Sequence, residues 1–304
     1  MIWLVGNKGM LGSEVERLLK ADGLGFAATD LGLDITNQAA VSNLAKKLEP
    51  KWIVNCAAYT TVEKAEDEYK AALAVNAAGP ENLARAALEQ DAKLIHISTD
   101  YVFDGEKGSD YLEDDTVNPK SAYGKSKELG EKNVRLATPR HFILRTAWLY
   151  GRNGGNFVAT MLKLFAEKDE VRVVNDQFGS PTYAPDLAQA IVKIVNNDSE
   201  KFGTYHFTNE GRISWFDFAC EIYRLAKAHG LVKREVRIVP ISTAEYPTKV
   251  PRPANTYLSK EKIKRDLGIS IRDWKIALDE FLKAVSLRVP SLSRDEAISR
   301  LKYA

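Results

Sequence analysis

Cysteine, histidine and methionine are scarce in this chain of 304 residues, which has two, four and three of them, respectively. Cys56 and Cys220 lie far apart in apolar surroundings, so we expect small core residues rather than a disulfide or a metal-binding pair. The histidines show no spacing typical of metal ligands. Long apolar runs are also missing, which argues against a membrane helix or a signal peptide and favours a cytoplasmic protein.

An excess of one charge sign is absent as well. The 43 basic and 41 acidic residues leave a formal net charge of +2, and both signs are interspersed along the chain. This pattern argues against a nucleic-acid-binding surface and against an acidic disordered tail. Hydrophobic residues make up 45 % and charged residues 28 %, which is ordinary for a globular protein that buries its core without disulfides.

The chain does contain a recurring succession of short apolar runs and amphipathic helical stretches. The apolar runs cover residues 2–5, 25–28, 52–54, 94–97 and 142–144. Because these runs lack polar alternation, they are typical of a parallel sheet that is covered on both faces. The sequence therefore predicts an α/β fold with a doubly wound parallel sheet of the Rossmann type.

The regular alternation of apolar runs and helical stretches ends at about residue 150, and the helical segments after it are longer and more aromatic. We expect a dinucleotide-binding domain and a smaller, mainly helical substrate lobe. The first would span residues 1–150 and be joined by later strands near 170–208 and 234–256. The second would comprise about 151–169, 209–233 and 257–304, with an additional helix over 290–304.

A glycine-rich loop directly follows the first apolar run. Gly6, Gly9 and Gly12 allow a tight turn, a close approach of backbone to a pyrophosphate, and packing of the next helix on the strand. Free N–H groups at that helix N-terminus favour an anion. Asp30 stands 18 residues after Gly12, where its carboxylate can accept a hydrogen bond from a ribose 2′-OH. A nicotinamide dinucleotide site is favoured over a purely structural turn.

Three further residues point to proton transfer. Tyr123 and Lys127 are four positions apart, so they share one face of a helix, where an ammonium lowers the phenol's pKa from its ordinary value near ~10. This spacing is common, and taken alone it fits an exposed helix better than a catalytic pair. Thr99, however, follows the fourth strand, at the carboxyl edge where open α/β sheets bind ligands. The Thr99 hydroxyl and the Tyr123 phenol could therefore share one substrate oxygen.

These segments together resemble the dTDP-4-dehydrorhamnose reductase family, which are extended short-chain dehydrogenases of bacterial rhamnose synthesis. The most specific motifs are Ser-Thr-Asp-Tyr-Val-Phe-Asp-Gly at 98–105 and Asp-Gln-Phe-Gly-Ser-Pro-Thr at 176–182. Further matching segments are 34–36, 54–60, 75–76, 145–151, 155–157, 205–209 and 252–253. The resemblance covers nearly the whole chain.

The resemblance implies reduction of the 4-keto group of dTDP-6-deoxy-L-lyxo-4-hexulose to dTDP-L-rhamnose by NADH or NADPH. It implies that Tyr123 is the general acid, that Lys127 binds the nicotinamide ribose and tunes Tyr123, and that Thr99 positions the carbonyl. The implied cofactor-binding residues are Gly6, Gly9, Met10, Leu11, Gly12, Asp30, Asp34, Ile35, Ala57, Ala58, Tyr59, Tyr123 and Lys127. The implied substrate-binding residues are Thr60, Thr99, Asp100, Tyr123, Trp148 and Arg252.

Two details remain open at this point, the choice of cofactor and a metal. Leu31 and Gly32 follow Asp30, where many relatives carry an arginine, so the choice between NADH and NADPH is open. Some relatives bind Mg²⁺ at a dimer contact, and Glu14 matches one ligand position. A carboxylate on a helix surface is usually solvated, so we predict no metal, and a homodimer is left open.

Two alternative functions remain. The chain could be another nucleotide-sugar reductase or epimerase. It could also be a non-catalytic binding protein, because the regulatory subunit of methionine adenosyltransferase resembles the same family. The presence of Thr99, Tyr123 and Lys127 together favours catalysis, and turnover that depends on a reductant discriminates the two classes.

Overall fold

The computed structural model describes residues 1–287, which form twelve strands and eleven α-helices. The strands are β1 (Ile2–Val5), β2 (Phe26–Thr29), β3 (Trp52–Asn55), β4 (Lys93–Thr99), β5 (His141–Thr146), β6 (Leu149–Tyr150), β7 (Glu170–Val174), β8 (Phe178–Gly179), β9 (Thr182–Tyr183), β10 (Gly203–His206), β11 (Ile213–Ser214) and β12 (Arg237–Ile241). The helices are α1 (Met10–Ala21), α2 (Gln38–Leu48), α3 (Val62–Ala65), α4 (Tyr69–Leu73), α5 (Gly79–Glu89), α6 (Ala122–Ala137), α7 (Phe157–Glu167), α8 (Ala184–Asn196), α9 (Trp215–Ala228), α10 (Glu261–Leu267) and α11 (Trp274–Ser286). A π-helical turn, Ala74–Ala78, joins α4 to α5, and 3₁₀ turns cover Asp100–Val102 and Thr243–Glu245.

Six strands form one parallel sheet in the order β10-β5-β4-β3-β1-β2. Alternate side chains of β1 enter two different cores. Ile2 and Leu4 pack with α1 and α8, whereas Trp3 and Val5 pack with α2 and α5. Burial on both faces explains the continuous apolar runs. The predicted doubly wound α/β fold is confirmed.

The strand order reverses at β1, which lies between β2 and β3. In such sheets a crevice opens at the carboxyl ends of the strands on either side of the reversal. Gly6, directly after β1, has a φ of +79°, and a Cβ on it would lie 2.6 Å from the Ala57 nitrogen. A Cβ on Gly12 would lie 2.0 Å from the Gly6 carbonyl oxygen. The loop glycines therefore let α1 pack against the start of this crevice.

A second core lies outside the sheet and is built mainly from α7, α9 and α11. The strands β7 and β12 belong to it, since they pair only with each other in a separate two-stranded parallel sheet. Of the strands that were predicted near 170–208 and 234–256 to join the main sheet, β10 pairs with β5 in that sheet, whereas β7 and β12 lie outside it. In β7, Val171 and Val173 are buried while Glu170 and Arg172 are exposed, so this strand has only one face to cover.

The assignment of 257–304 to the lobe also needs a correction. The helix α11 packs in the second core, but Ile263 and Leu267 of α10 pack in the core beneath the main sheet. The additional helix predicted over 290–304 lies outside the described residues. None of the helices within residues 1–287 is long and apolar enough to cross a bilayer.

The helix α6 approaches its neighbours unusually closely. A Cβ on Gly130 would lie 2.0 Å from the Asn76 carbonyl oxygen, in the π-helical turn. A Cβ on Gly124 would lie 2.3 Å from the Tyr101 carbonyl oxygen. Both contacts are with backbone, which cannot rotate away as a side chain can. The position of α6 therefore depends on these two glycines.

We expect Gly130→Ala to destabilise the fold by about 1–3 kcal/mol, although alanine normally favours a helix. The reason is that α6 must move away from the π-helical turn. Urea unfolding monitored by circular dichroism measures the change. Gly108→Ala is the matched control, because a Cβ there meets no atom within 4 Å. Equal stability of the two variants would contradict the close contact.

Candidate active site

The sequence at the start of α6 sets the positions of two predicted site residues. The Ser121 hydroxyl accepts a hydrogen bond from the Gly124 N–H at 3.0 Å and caps the helix. Tyr123 and Lys127 follow in the first turns and are both buried, with 9 % and 2 % of their surface exposed. They lie on the side of α6 that faces the sheet edge.

Thr99, the last residue of β4, is brought next to Tyr123. The Thr99 side chain lies within hydrogen-bonding range of the Tyr123 phenol. The Thr99 hydroxyl also donates to the Asp100 carboxylate at 3.0 Å and accepts from the Tyr101 N–H at 3.2 Å. The Tyr101 ring meets the Tyr123 ring edge-on, with centroids 5.6 Å apart. A hydroxyl and a phenol thus stand together at the carboxyl edge of the sheet.

Burial governs the protonation of both Tyr123 and Lys127. Burial raises the pKa of Tyr123, and the hydrogen bond with Thr99 opposes this only in part. The Lys127 ammonium donates to the Ile97 carbonyl oxygen at 2.6 Å, and burial lowers the pKa of Lys127 to about 8. That Lys127 also lowers the pKa of Tyr123 stays a prediction. A phenol with a raised pKa keeps its proton at neutral pH, and this is the form that can donate one.

A groove of about 380 Å³ runs along the carboxyl ends of β1, β2 and β3. Its lining contains seven of the residues that were predicted to bind a cofactor, namely Gly6, Gly9, Asp30, Asp34, Ile35, Ala57 and Ala58. It also contains Leu31, Leu33, Cys56 and Val75, which were not predicted. Leu31 is almost fully exposed, at 97 %, on the rim.

The groove has the features that a dinucleotide requires. At the N-terminus of α1, Gly9 provides no side-chain cap, so the first N–H groups of the helix are free to bind an anion. The Asp30 carboxylate accepts from the backbone N–H groups of Lys8 at 2.9 Å and Leu31 at 2.8 Å, which holds it at the rim. An open turn for a diphosphate and a fixed carboxylate for a ribose fit a nicotinamide dinucleotide.

The other six predicted cofactor residues do not line the groove, and Tyr123 and Lys127 are two of them. Leu11 is buried in the core, so only its backbone can face a diphosphate. Gly12 packs against Gly6, and the Met10 side chain lies near Gly151. The Tyr59 hydroxyl donates to Glu68 at 2.6 Å instead of pointing into the groove.

A larger cavity, of about 460 Å³, lies between the sheet edge and the second core. Asp100, Trp148 and Arg252 line it, as the sequence predicted for a substrate site. Thr99 and Tyr123 do not line it, and they adjoin its wall residues Asp100 and Tyr101. Thr60 is exposed on the loop before α3 and lines neither the cavity nor the groove.

Polar groups converge on one wall of the cavity. Burial raises the pKa of Asp100 to about 6, although the nearby Thr256 side chain and the hydrogen bond from Thr99 oppose the shift. The Arg252 guanidinium donates to the Tyr101 hydroxyl at 2.5 Å and to the Glu63 carboxylate at 2.7 Å. A buried carboxyl group and a half-buried guanidinium thus flank the Thr99–Tyr123 pair.

Sequence reasoning missed most of the remaining cavity wall, which includes Phe157, Met161, Leu164, Val173, Val174, Gln177, Trp215 and Thr256. Phe157 and Gln177 fall inside motifs that carried the family resemblance, so a signal was available for them. Trp215 and Thr256 lie in segments without a distinctive spacing, and only the three-dimensional structure brings them here.

Glu14 does not behave as expected for a carboxylate on a helix surface. Its side chain is 5 % exposed and accepts from Arg17 Nε at 2.8 Å. In the part of the chain that the structure describes, no three His, Cys, Asp or Glu side chains come together as a metal site.

A buried ion pair anchors α6 to the sheet. The Glu131 carboxylate accepts two hydrogen bonds from Arg145 on β5, at 2.8 and 2.7 Å, and one from the Ser98 hydroxyl on β4, at 2.6 Å. The two charged side chains are 0 % and 3 % exposed. Burial alone raises the pKa of Glu131, but Arg145 outweighs it and holds that pKa below its ordinary value.

Known proteins resemble this chain over most of its length. The family model described as RmlD substrate binding domain matches residues 1–287. A dTDP-4-dehydrorhamnose reductase of Aggregatibacter actinomycetemcomitans is 42 % identical over 90 % of this chain and 96 % of its own. A solved dTDP-4-dehydrorhamnose reductase from Clostridium acetobutylicum is 42 % identical, with a TM-score of 0.88 over 93 % of this chain and 99 % of its own. A Bacillus anthracis enzyme of the same name, solved with NADP, is 37 % identical, with a TM-score of 0.86 over 92 % of this chain and 97 % of its own.

We expect Glu131→Gln to cost about 3–5 kcal/mol of unfolding free energy at pH 7, because it leaves the Arg145 charge buried without a counterion. The folded-state pKa of Glu131 is depressed. The ionised Glu131 carboxylate therefore makes its full contribution to the free energy of unfolding above the ordinary carboxyl pKa near ~4.3. This contribution is lost as the pH falls through the folded-state pKa.

Urea unfolding at pH 7 and at decreasing pH measures this contribution. The difference between wild type and variant should shrink in acid. Glu167→Gln, which removes an exposed pair with Lys163, is the control and should cost less than about 1 kcal/mol. If the difference in unfolding free energy between wild type and Glu131→Gln did not change with pH, the stabilisation could not come from the Glu131 charge.

Proposed function

The chain belongs to the dTDP-4-dehydrorhamnose reductase family, and we propose that it reduces the 4-keto group of dTDP-6-deoxy-L-lyxo-4-hexulose to give dTDP-L-rhamnose. It is an oxidoreductase that uses NADH or NADPH. The observation that carries the proposal is the Thr99–Tyr123 pair, which lies beside the cavity wall at the same sheet edge as the groove. A ketone that reaches this pair meets a hydroxyl and a protonated phenol.

We assign the groove to the dinucleotide. The N-terminus of α1 and the backbone of the glycine loop would bind the diphosphate, and Asp30 would accept a hydrogen bond from the adenosine ribose. The Lys127 ammonium, held by the Ile97 carbonyl, would bind the nicotinamide ribose. When bound, the reduced nicotinamide supplies the hydride for the ketone carbon.

Tyr123 would donate its proton to the sugar O4 as the ketone becomes an alcohol. Its raised pKa keeps the phenol protonated until charge develops on that oxygen. The Thr99 hydroxyl would orient the ketone by turning its proton from Asp100 to the ketone oxygen. General acid catalysis of this kind contributes roughly 10²–10⁴-fold, and orientation supplies much of the remainder.

We assign the larger cavity to the nucleotide sugar and the second core to the substrate lobe. Trp148 would form a wall for the sugar, and Asp100 would accept hydrogen bonds from its hydroxyl groups. Arg252 would bind the diphosphate, since a guanidinium can donate to two phosphate oxygens at once. To do so it would exchange its contact with Glu63 for the ligand.

Both substrates of this reaction are intracellular metabolites, which supports a cytoplasmic location. A homodimer is a further proposal, because some relatives form one, and the mass in solution tests it.

The decisive assay measures oxidation of NADH and NADPH with dTDP-4-keto sugars and identifies the product. A different product would make the chain another nucleotide-sugar reductase. Binding of the dinucleotide without any turnover would support the non-catalytic alternative and overturn the proposal.

We expect Tyr123→Phe to retain the fold and to lose nearly all turnover, because it removes only the proton donor. The value of kcat with saturating NADPH and nucleotide sugar measures the loss. Tyr69→Phe, at an exposed position of α4, should leave kcat unchanged and serves as the control. A Tyr123→Phe variant that keeps more than about a tenth of wild-type kcat would exclude Tyr123 as the general acid.

We expect both cofactors to support turnover, with NADH at least comparable to NADPH, and the preference to depend on Asp30. Its carboxylate can accept from a 2′-OH and repels a 2′-phosphate by on the order of 1 kcal/mol or more. Asp30→Ala should therefore raise the NADPH/NADH ratio of kcat/KM by roughly ten-fold.

Lys8→Ala tests the opposite charge, since Lys8 is the cation in the glycine loop and could contact that phosphate. It should lower kcat/KM for NADPH and leave NADH nearly unaffected. If Asp30→Ala leaves the ratio unchanged, Asp30 does not contact the 2′ position.

A further inference from the structure

Trp148 has a backbone conformation that bulky residues rarely adopt. Its φ is +47°, in the left-handed region. Such strain persists only where the surroundings enforce it, and it concentrates at functional sites. The Trp148 carbonyl accepts from the Thr182 N–H at 3.2 Å, just before β6 pairs with β9. The backbone of Trp148 is therefore held in register with the segment 178–183.

The Trp148 indole is held as well. It stacks on the Trp215 indole with centroids 3.6 Å apart and planes inclined by 14°. Phe157 supports Trp215 from a centroid distance of 4.5 Å. The Trp148 ring also packs so closely on Gly179 that a Cβ there would lie 2.9 Å from the ring. All three aromatic rings belong to residues that line the larger cavity.

The position of Trp215 is fixed by the local structure. The strand β11 pairs with β8 in an antiparallel ladder that places Ile213 opposite Gly179. Ser214 caps α9 in a capping box, in which its hydroxyl accepts from the Asp217 N–H at 3.0 Å and its N–H donates to the Asp217 carboxylate at 2.9 Å. The capping box and the pairing with β8 therefore fix the position of Trp215, the first residue of α9, relative to Gly179.

The stack is also connected to the polar side of the cavity. A Cβ on Gly179 would meet the Thr256 hydroxyl at 3.1 Å as well as the Trp148 ring. The Thr256 side chain lies close enough to Asp100 to lower the pKa of that carboxyl group, and Asp100 in turn accepts a hydrogen bond from Thr99. A change at Gly179 would therefore disturb both the apolar platform and the polar group next to the Thr99–Tyr123 pair.

We propose that Trp215 and Gly179 are positioning residues for Trp148, and that the two stacked indoles form a platform for the sugar ring of the substrate. The inference rests on the proposed function. A 6-deoxy sugar presents an apolar C–H face together with a methyl group, and such a face packs on an aromatic plane. The platform thereby orients the keto carbon relative to Thr99 and Tyr123, and it favours deoxy sugars over fully hydroxylated ones.

Three variants and a control test this proposal. Trp215→Leu removes the stack, Trp215→Phe keeps an aromatic plane, and Gly179→Ala adds a methyl group against Trp148. Phe216→Leu removes a ring at the next position of α9 that does not line the cavity. KM for dTDP-6-deoxy-L-lyxo-4-hexulose and for NADPH are measured for each variant. Far-ultraviolet circular dichroism reports the exciton couplet that two indoles in face-to-face contact produce.

We expect Trp215→Leu and Gly179→Ala to raise KM for the nucleotide sugar about ten-fold and to change KM for NADPH less than about two-fold. Trp215→Phe should lose the couplet, since one indole is gone, and yet keep the sugar KM within about three-fold of wild type. Phe216→Leu should retain the couplet and both KM values.

Two results would overturn the proposal. One is an aromatic far-ultraviolet signal that Trp215→Leu leaves unchanged, and the other is a sugar KM that is unchanged in both Trp215→Leu and Gly179→Ala. Failure of the proposed function looks different, because the wild type would then oxidise no NADPH with the keto sugar while the couplet remained. In that case the change of the couplet on addition of dTDP-L-rhamnose decides whether the platform binds a nucleotide sugar.

Discussion

The ion pair between Glu131 and Arg145 is the interaction on which the arrangement of the site depends. A buried charge without its partner costs several kcal/mol, so α6 has one stable position, in which Glu131 meets both Arg145 and Ser98. Gly124 and Gly130 permit the close approach that this position needs. Since Tyr123 and Ser98–Thr99 belong to the elements joined in this way, the distance between phenol and hydroxyl follows from the ion pair.

The same helix also holds the wall of the cofactor groove. Asn76, in the π-helical turn, accepts from the Tyr59 N–H at 2.8 Å and donates to the Tyr59 carbonyl at 2.9 Å and to the Ser126 hydroxyl at 3.0 Å. The segment that follows β3 is thereby tied to α6. A π-helical turn supplies this geometry because its extra residue changes the direction in which Asn76 points. The helix α6 thus fixes both the wall of the cofactor groove and the position of Tyr123.

The sheet could be predicted from the sequence because its strands are buried on both faces, which leaves an unbroken apolar pattern, and because glycine spacing marks the β1–α1 turn. The sequence did not indicate that β7 and β12 pair with each other outside the main sheet, because an apolar run does not specify its pairing partner. The pKa of Tyr123 depends on how deeply the ring is buried, which spacing from Lys127 cannot indicate. Trp215 was missed because a single tryptophan is ordinarily a core residue, and only the pairing of β8 with β11 brings it to Trp148.

The position of β10 at the edge of the sheet has a consequence for folding during synthesis. Its partner β5 ends at residue 146, and β10 begins 57 residues later. At roughly 5–20 residues per second, the edge of β5 stays unpaired for about 3–11 s after that strand has been made. An open edge invites pairing with another chain unless it carries charge. The Glu131–Arg145 ion pair remains intact when β10 pairs with β5, so it does not block this edge, and the edge stays open to another chain until β10 has been made.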